Sequence, residues 1–322
     1  MSCPVNLRMI QEASHRIASL AHKTPLYLSP ALSKLTGAKV YLKLECYQPI
    51  RVFKIRGAAN KIMQLSPEER THGLVAASSG NHGLAVSYLA QMIGTRATIV
   101  VPTNAVQEKV TAIEEYGATV LKEGVFHDQR YAKALEIQKS TGAVLIPPFD
   151  DPDIIAGQGT IGLEILESLP DVNSIIVPIG GGGLISGIAT AVKSLKPEVQ
   201  VFGVEPERAS SMYLSVKSGK IIHLSDTTSV ADGLATREPG QLTFDCVTRY
   251  VDEIFLVSEE EIERAVFATL KECHLLVEPS AAAAVVALPA RLHPRTDSKV
   301  VVVVSGGNIS MKLLHTVLSK YS

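Results

Sequence analysis

The stretch that decides the fold is S-I-I-V-P-I-G-G-G-G-L, residues 174–184. An apolar run at 174–178 predicts a buried strand, and four consecutive glycines follow it before a helical pattern begins at Leu184. Glycines let the backbone approach a ligand closely, and the N-terminus of the next helix favours an anion. We therefore predict a phosphate site at residues 180–183; a tight turn without a ligand is the alternative.

A dinucleotide-binding fold would instead require G-x-G-x-x-G, followed about 20 residues later by an acidic residue. Glu205 follows a predicted strand and could be that residue. The third glycine position, however, is Ile185 when counted from Gly180 and Ser186 when counted from Gly181. A nicotinamide-dependent oxidoreductase therefore remains only a minor alternative.

Outward from this stretch, short β-branched runs alternate with helical patterns along almost the whole chain. Strands are predicted at 40–44, 74–77, 97–101, 119–121, 144–146, 174–178, 201–204, 254–257 and 300–304, with helices that include 82–93, 106–116, 128–140, 154–168 and 184–194. This alternation predicts an α/β fold with parallel-rich, twisted sheets and helices on both faces. The run at 300–304 lacks polar alternation and is placed in a sheet centre. Ser258 and Glu261 predict a capping box.

The length of 322 residues predicts about two domains. We expect the chain to pass from one domain to the other at the turn-rich segments 65–73 and 142–152. We expect a large, discontinuous domain of residues 1–65 and 146–322, and a small inserted α/β domain of residues 66–145 that closes over the substrate.

The composition excludes several classes of protein. Thirty-one basic and 32 acidic residues give a net charge of −1, which disfavours a nucleic-acid binder. The longest apolar stretch, 281–288, is too short for a membrane span, and no signal peptide is evident, so a cytoplasmic location is predicted. The four cysteines are far apart in sequence and are predicted to be reduced thiols.

Three further motifs follow predicted strands or begin predicted helices. S-S-G-N-H-G at 78–83 predicts a carboxylate site, F-K-I-R-G-A at 53–58 supplies an amine, and S-G-G-N at 305–308 supplies a hydroxyl after the most apolar strand. Each motif alone has a structural explanation, such as an ordinary helix cap or a surface lysine. Together with the glycine stretch they fit pyridoxal phosphate holding an amino acid.

The chain resembles the fold-type II, tryptophan synthase β-like pyridoxal-phosphate enzymes, and within them the serine/threonine dehydratase and serine racemase group. The resemblance rests on ordered motifs: F-K-I-R-G-A (53–58), S-S-G-N-H-G (78–83), D-D-P-D-I-I-A-G-Q-G-T (150–160), P-I-G-G-G-G-L (178–184), A-D-G (231–233), E-P-S-A (278–281) and S-G-G-N (305–308).

The resemblance implies a role for each matching residue. Lys54 is implied as the Schiff-base lysine and general base, and Ser79 as a second catalytic residue on the opposite ring face. The other implied cofactor contacts are Phe53, Asn81, Gly180, Gly181, Gly182, Gly183, Leu184, Gly233, Glu278 and Ser305. The implied substrate-binding residues are Ser78, Ser79, Asn81 and His82.

The implied reaction is β-elimination of L-threonine, L-serine or a related β-hydroxy amino acid, which gives a 2-oxo acid and ammonia. A serine racemase or a bifunctional racemase/dehydratase is the alternative within the group, and a non-catalytic cofactor-binding protein is an alternative from another class. The expected partners are a small amino acid and further copies of the chain, as a homodimer or a higher homo-oligomer.

Two positions depart from the group's pattern. Val52 stands where the group commonly has serine, two residues before the lysine. A cation site in racemase-like relatives would correspond here to Glu205, Ala209 and Ser211. Serine at the third position is a poor ligand for Mg²⁺ or Ca²⁺, and K⁺ is left as an open alternative.

Overall fold

The computed structural model describes residues 3–78, 80–105, 107–125 and 127–322. Ser79, one of the predicted catalytic residues, lies outside the described residues. The described strands are β1 (Leu26–Leu28), β2 (Lys39–Leu44), β3 (Leu74–Ala77), β4 (Ala97–Val101), β5 (Thr119–Lys122), β6 (Val144–Leu145), β7 (Ser174–Pro178), β8 (Gln200–Pro206), β9 (Glu253–Val257) and β10 (Lys299–Val304).

The described helices match the predicted ones closely, and the capping box at Ser258 and Glu261 is confirmed. Val106, where one predicted helix begins, lies outside the described residues. The helices are α1 (Leu7–Arg16), α2 (Pro30–Thr36), α3 (Lys54–Ile62), α4 (Pro67–His72), α5 (Asn81–Met92), α6 (Gln107–Glu114), α7 (His127–Thr141), α8 (Pro152–Ser168), α9 (Gly183–Leu195), α10 (Ser211–Ser218), α11 (Gln241–Tyr250), α12 (Glu259–Cys273), α13 (Pro279–Ala287) and α14 (Met311–Tyr321).

The strands form two sheets, which confirms the predicted α/β class. The larger sheet has the order β1-β2-β10-β7-β8-β9, and every pair in it is parallel except β1 with β2. The smaller sheet, β5-β4-β3-β6, is entirely parallel and uses only strands from residues 74–145. The carboxyl ends of parallel strands meet at one edge, where loops can form a site.

Strand β10 lies in the middle of the larger sheet, as its unbroken apolar run predicted. Its residues from Val300 to Val304 are fully buried, because β2 and β7 flank it and helices cover its faces. Helix α13 packs against β7, β8, β9 and β10. Its small alanines allow this close packing, and the strand and the helix thereby fix Ser305 and Glu278 at their ends.

Glycines let helices α3, α8 and α9 pack closely on one another. A Cβ atom at Gly157 would lie 2.6 Å from the Cα atom of Gly57, and one at Gly187 would lie 2.3 Å from the carbonyl oxygen of Ile155. Both distances are far below van der Waals contact, so larger residues would push the helices apart. The contact holds the start of α3 and the start of α9 in fixed positions relative to α8.

Two features differ from the sequence prediction. Strand β1 was not predicted, because its apolar run is only three residues long; it is an antiparallel edge strand whose last two side chains are exposed. The prediction of four reduced cysteines is wrong: Cys3 and Cys246 form a disulfide across 243 residues of sequence, whereas Cys46 and Cys273 are free. The pairing depends on the packing of the N-terminal segment, which the spacing of the cysteines does not reveal. Within the described ranges, no helix is long and apolar enough to cross a membrane.

Candidate active site

The glycine stretch forms a cradle between β7 and α9. Gly182 has a φ of 92°, in the left-handed region, and it precedes α9 without a side-chain cap. A Cβ atom at Gly181 would lie 2.3 Å from the ring of Phe149. A side chain would therefore be strained at Gly182 and would clash with the Phe149 ring at Gly181, and the uncapped N–H groups at the start of α9 suit a phosphate.

Lys54 is the first residue of α3, and its amine is held without a carboxylate partner. Its Nζ donates a hydrogen bond to the carbonyl oxygen of Pro148 at 2.7 Å and lies 5.2 Å from the centre of the Phe53 ring. Burial lowers the pKa of Lys54 to about 8, and the nearby Glu278 carboxylate opposes this shift only in part. An amine that loses its proton this readily is suited to nucleophilic attack on an aldehyde.

The segment before Lys54 is tied to the loop that follows β10. The Phe53 N–H donates to the Ser305 carbonyl at 3.0 Å, and Val52 forms an isolated β-bridge with Gly306. Val52 is fully buried, and its Cγ2 atom lies 3.0 Å from the position that a Cβ atom on Gly306 would occupy. The valine thus fills a packed apolar position, while Ser305 is brought beside the lysine segment and is itself buried.

A buried ionic network holds the side of α3 that carries Arg56, and the sequence did not indicate this network. Arg56 is 1% exposed and donates to both carboxylate oxygens of Glu45 and of Glu164. Lys43 completes the network by donating to Glu164 and to the Thr24 carbonyl. Because all these charges are paired, the network fixes the orientation of α3; removing one partner would leave a buried charge uncompensated.

The start of α5 presents a second uncapped helix N-terminus. Gly80 is its N-cap residue and has no side chain to cap the helix, and the Gly80 N–H donates to the Ser78 hydroxyl at 3.3 Å. The His82 ring is buried, and its Nε2 atom lies 2.8 Å from the Ile146 carbonyl oxygen. That nitrogen is directed at the Ile146 carbonyl, so the backbone at the N-terminus of α5 is the better candidate for binding a carboxylate.

A cluster of three side chains joins α5, α13 and the loop after β10. The Asn81 amide nitrogen lies 2.9 Å from each oxygen of the Glu278 carboxylate. The Asn308 amide donates to the Asn81 oxygen at 2.9 Å. Burial raises the pKa of Glu278 to about 7, although the hydrogen bond from Asn81 opposes this shift. Asn308 belongs to the S-G-G-N motif, but no role was predicted for it.

The remaining predicted cofactor residues, Gly233 and Leu184, lie beside the glycine cradle or within the helix that follows it. A Cβ atom on Gly180 would lie 3.0 Å from the Gly233 carbonyl oxygen, so these two loops are in contact. The Gly233 N–H donates to Ser280 on α13 at 3.1 Å. Leu184 is buried in the first turn of α9. The structure therefore gathers an anion cradle, an amine, an amide and a hydroxyl, a set that fits pyridoxal phosphate.

Asp150 and Asp151, which precede α8, serve as helix caps. Asp151 caps α8 and pairs with Lys61. Asp150 accepts the N–H groups of Leu242 and Thr243 at the start of α11, a contact between distant segments that the sequence did not indicate. Phe149, between the Pro148 carbonyl and these caps, is thereby held against the glycine cradle.

The predicted cation residues lie at the end of β8, but their donors do not fit a divalent ion. Both oxygens of the buried Glu205 accept backbone N–H groups of α10, from Met212 at 3.0 Å and Tyr213 at 2.7 Å. Ala209 is buried, and the buried Ser211 hydroxyl has no hydrogen-bond partner in the described part of the chain. A hard divalent cation such as Ca²⁺ takes roughly six to eight oxygen ligands, several of them carboxylates. One carboxylate that is already hydrogen-bonded to a helix does not provide such a site.

The fold and the site together define a class: α/β enzymes that hold a phosphate-bearing aldehyde cofactor at a lysine. A model of the family described as pyridoxal-phosphate dependent enzyme matches residues 17–306. The chain therefore belongs to the pyridoxal-phosphate dependent enzyme family, and the fold-type II resemblance is confirmed. This match gives no support to a nicotinamide-dependent enzyme.

Similar proteins are known in several organisms. The chain is 46% identical to an L-threonine ammonia-lyase of Thermotoga maritima, over 98% of this chain and 79% of the relative. It is 42% identical to the catabolic L-threonine dehydratase of Escherichia coli strain K12, over 96% of this chain and 94% of the relative. Its structure is similar to that of maize serine racemase, with a TM-score of 0.93, 37% identity and 98% of both chains covered.

Proposed function

We propose that this protein is a lyase that eliminates the β-hydroxyl and the amine of L-threonine, L-serine or a related β-hydroxy amino acid. The products are a 2-oxo acid and ammonia. The observation that carries the proposal is the Lys54 amine, whose pKa burial lowers to about 8, held beside the glycine cradle. Relatives that are 46% and 42% identical over nearly the whole chain, an L-threonine ammonia-lyase and an L-threonine dehydratase, support this substrate class.

The substrate carboxylate would bind at the start of α5. Gly80, the N-cap residue of this helix, has no side chain with which to cap it, and the helix dipole favours an anion there. Ser78 and the Asn81 side chain lie beside these groups. His82 would contribute through its backbone, because its Nε2 atom is engaged by Ile146.

Lys54 would then act as the general base. When bound, the cofactor supplies an aldehyde that holds the substrate amine and a ring that withdraws electrons from the α-carbon. Lys54, once free, takes the proton from that carbon, because its lowered pKa leaves much of the amine neutral near pH 8. The Pro148 carbonyl, which accepts from Nζ in this structure, keeps the free amine inside the site.

Ser305 favours elimination over reactions that need a stronger electron sink. Its hydroxyl is neutral, so it cannot hold a ring nitrogen protonated as a carboxylate would. This arrangement suits rapid departure of the β-hydroxyl rather than prolonged storage of negative charge at the α-carbon. Ser305 is 2% exposed, which excludes water from this position.

Serine racemase activity is the second candidate, because the structure of maize serine racemase is similar over the whole chain. The residue that would return a proton to the opposite face is Ser79, which lies outside the described residues. We expect Ser79→Ala to suppress D-serine formation far more than 2-oxo acid formation. Equal losses of both products would contradict the assignment of Lys54 and Ser79 to opposite faces of the cofactor ring.

We also propose that residues 66–145 form a small domain that closes over the substrate. Two contacts between this segment and the rest of the chain support closure: Lys109 on α6 pairs with Asp232, and Asn81 on α5 bonds to Glu278. Asp232 directly precedes Gly233, so the ion pair lies at the edge of the site. A substrate analogue should protect the backbone amides of 107–114 from hydrogen exchange; unchanged exchange would contradict closure.

The location and assembly are further proposals. We propose a cytoplasmic homodimer or higher homo-oligomer. The exposed apolar side chains of Tyr27 and Leu28 on edge strand β1 support association, because such strands pair readily with other chains. Light scattering of the purified protein tests the assembly, and a monomer at micromolar concentration would contradict it.

The proposed reaction is tested by following 2-oxo acid formation from a panel of L-threonine, L-serine, 3-hydroxyaspartate and phenylserine. Lys54→Ala should abolish it, whereas Lys61→Ala, a matched change on the same helix, should retain it. Lys61 pairs with Asp151 and does not contact the cradle. A cofactor-loaded wild-type protein that produces neither oxo acid nor D-isomer would indicate a non-catalytic binding protein and overturn the proposal.

A further inference from the structure

The hydrogen bonds around Asn81 have a direction that the chemistry of the groups determines. The Asn308 amide nitrogen donates to the backbone carbonyl of Ile50 at 3.1 Å and to the Asn81 side-chain oxygen at 2.9 Å. A backbone carbonyl can only accept, so Asn308 must present its nitrogen to Ile50. Asn81 must then present its oxygen to Asn308 and its nitrogen to Glu278.

The carboxylate of Glu278 leaves one N–H of Asn81 free for a ligand. The Asn81 nitrogen lies 2.9 Å from both Glu278 oxygens. These oxygens are too close together to receive both N–H bonds of one amide, which diverge widely from the nitrogen. One N–H is therefore shared between the two oxygens, and the second points elsewhere.

Glu278 is itself held rigidly. It is 6% exposed, it is the N-cap residue of α13, and its backbone N–H donates to the Gly306 carbonyl at 3.1 Å. Its Oε1 atom lies 2.8 Å from the position that a Cβ atom on Gly306 would occupy, so the loop also packs against the carboxyl group. The relay of Ile50, Asn308, Asn81 and Glu278 thus has fixed backbone elements at both ends.

We infer that Glu278 and Asn308 are positioning residues, which fix the Asn81 amide so that its free N–H faces the cofactor and thereby set the cofactor's affinity and absorption. The inference rests on the proposed function, because the ligand of Asn81 is taken to be pyridoxal phosphate. Neither residue needs to contact the substrate. Reversing the Asn81 amide would replace a donor by an acceptor at the cofactor.

The test measures the dissociation constant of pyridoxal 5'-phosphate for the apo-protein and the position of the visible absorption band. Asn308→Asp removes the donor to Ile50 and to the Asn81 oxygen and places a carboxylate against that oxygen. The new carboxylate and Glu278 then compete for the Asn81 N–H groups, and the amide is no longer held in one orientation. We expect cofactor binding to weaken by about tenfold or more, with a shifted band. The control is Asn60→Asp, because the Asn60 side-chain amide also donates to a backbone carbonyl, that of Asp153, at 2.7 Å, and Asn60 is the more deeply buried of the two asparagines. It should leave the affinity within about twofold of wild type.

Equal affinity and equal spectra in the Asn308→Asp variant and the wild type would overturn the inference. If Asn308→Asp does not fold, Glu278 decides the question. Glu278→Gln keeps an oxygen for the Asn81 N–H and should bind the cofactor several-fold more tightly than Glu278→Ala, which removes it and should weaken binding about tenfold. Equal affinities in these two variants would refute the positioning role. A wild-type protein that does not bind pyridoxal phosphate would instead contradict the proposed function itself.

Discussion

Gly181→Ala tests the glycine cradle most sharply, because its effect can be worked from distances. The new Cβ atom would lie 2.3, 2.4 and 2.5 Å from three atoms of the Phe149 ring. Carbon atoms in contact are separated by about 3.5–4.0 Å, so the ring or the loop must move by more than about 1 Å. Overpacking of this kind costs about 1–3 kcal/mol, which corresponds to roughly a fivefold to 150-fold loss of affinity for pyridoxal phosphate.

The affinity is measured by titrating the apo-protein with pyridoxal phosphate and following the visible absorption band. Phe149→Ala in the same chain removes the clashing ring and should recover most of the lost affinity. Gly162→Ala is the control: its Cβ atom would meet Ala191 at 3.0 Å between α8 and α9, so it should lower stability without a comparable loss of affinity. Wild-type affinity in Gly181→Ala, or no recovery in the double variant, would refute the assignment of the cradle.

Three further predictions concern the cation residues, the lysine and the disulfide. Removing divalent ions with a chelator should not change the activity or the melting temperature of the wild-type protein, and a loss of activity would contradict this. Ser211→Asp supplies a second carboxylate beside Glu205, so its melting temperature should rise with added Ca²⁺. The rate at which the apo-protein takes up pyridoxal phosphate should rise with pH through about 8, because burial lowers the pKa of Lys54 and only the neutral amine attacks; a flat profile between pH 6 and 9 would contradict it. Thiol titration of the unfolded, non-reduced protein should find two free thiols, and four free thiols would rule the disulfide out. Cys246→Ser removes the bond between Cys3 and Cys246 and should lower the free energy of unfolding by about 2–4 kcal/mol.

Much of the fold could be predicted from local patterns. All nine strands predicted from apolar runs are present, and the central position of β10 followed from its lack of polar residues. The glycine cradle was predictable because four glycines between a strand and a helix have a direct physical meaning. Strand β1 was missed because an apolar run of only three residues is too short to be distinguished from a loop.

The site was predictable motif by motif, but its internal contacts were not. Arg56 appeared in the sequence only as part of the lysine motif, although it forms ion pairs with Glu45 and with Glu164, which is 108 residues away. Likewise, nothing local relates Asn308 to Asn81, which are 227 residues apart. Such pairings depend on the packing of elements that are distant in sequence. No local pattern in a single sequence indicates them, although the order of the motifs indicates which segments form the site.

The most direct test of the central claim is to locate the cofactor on the chain. The purified protein is loaded with pyridoxal phosphate, reduced with borohydride and digested, and the modified peptide is identified by mass spectrometry. The account predicts one phosphopyridoxyl group on Lys54, at the start of α3 beside the glycine cradle. A group on another lysine, or a protein that carries none after loading, would contradict it.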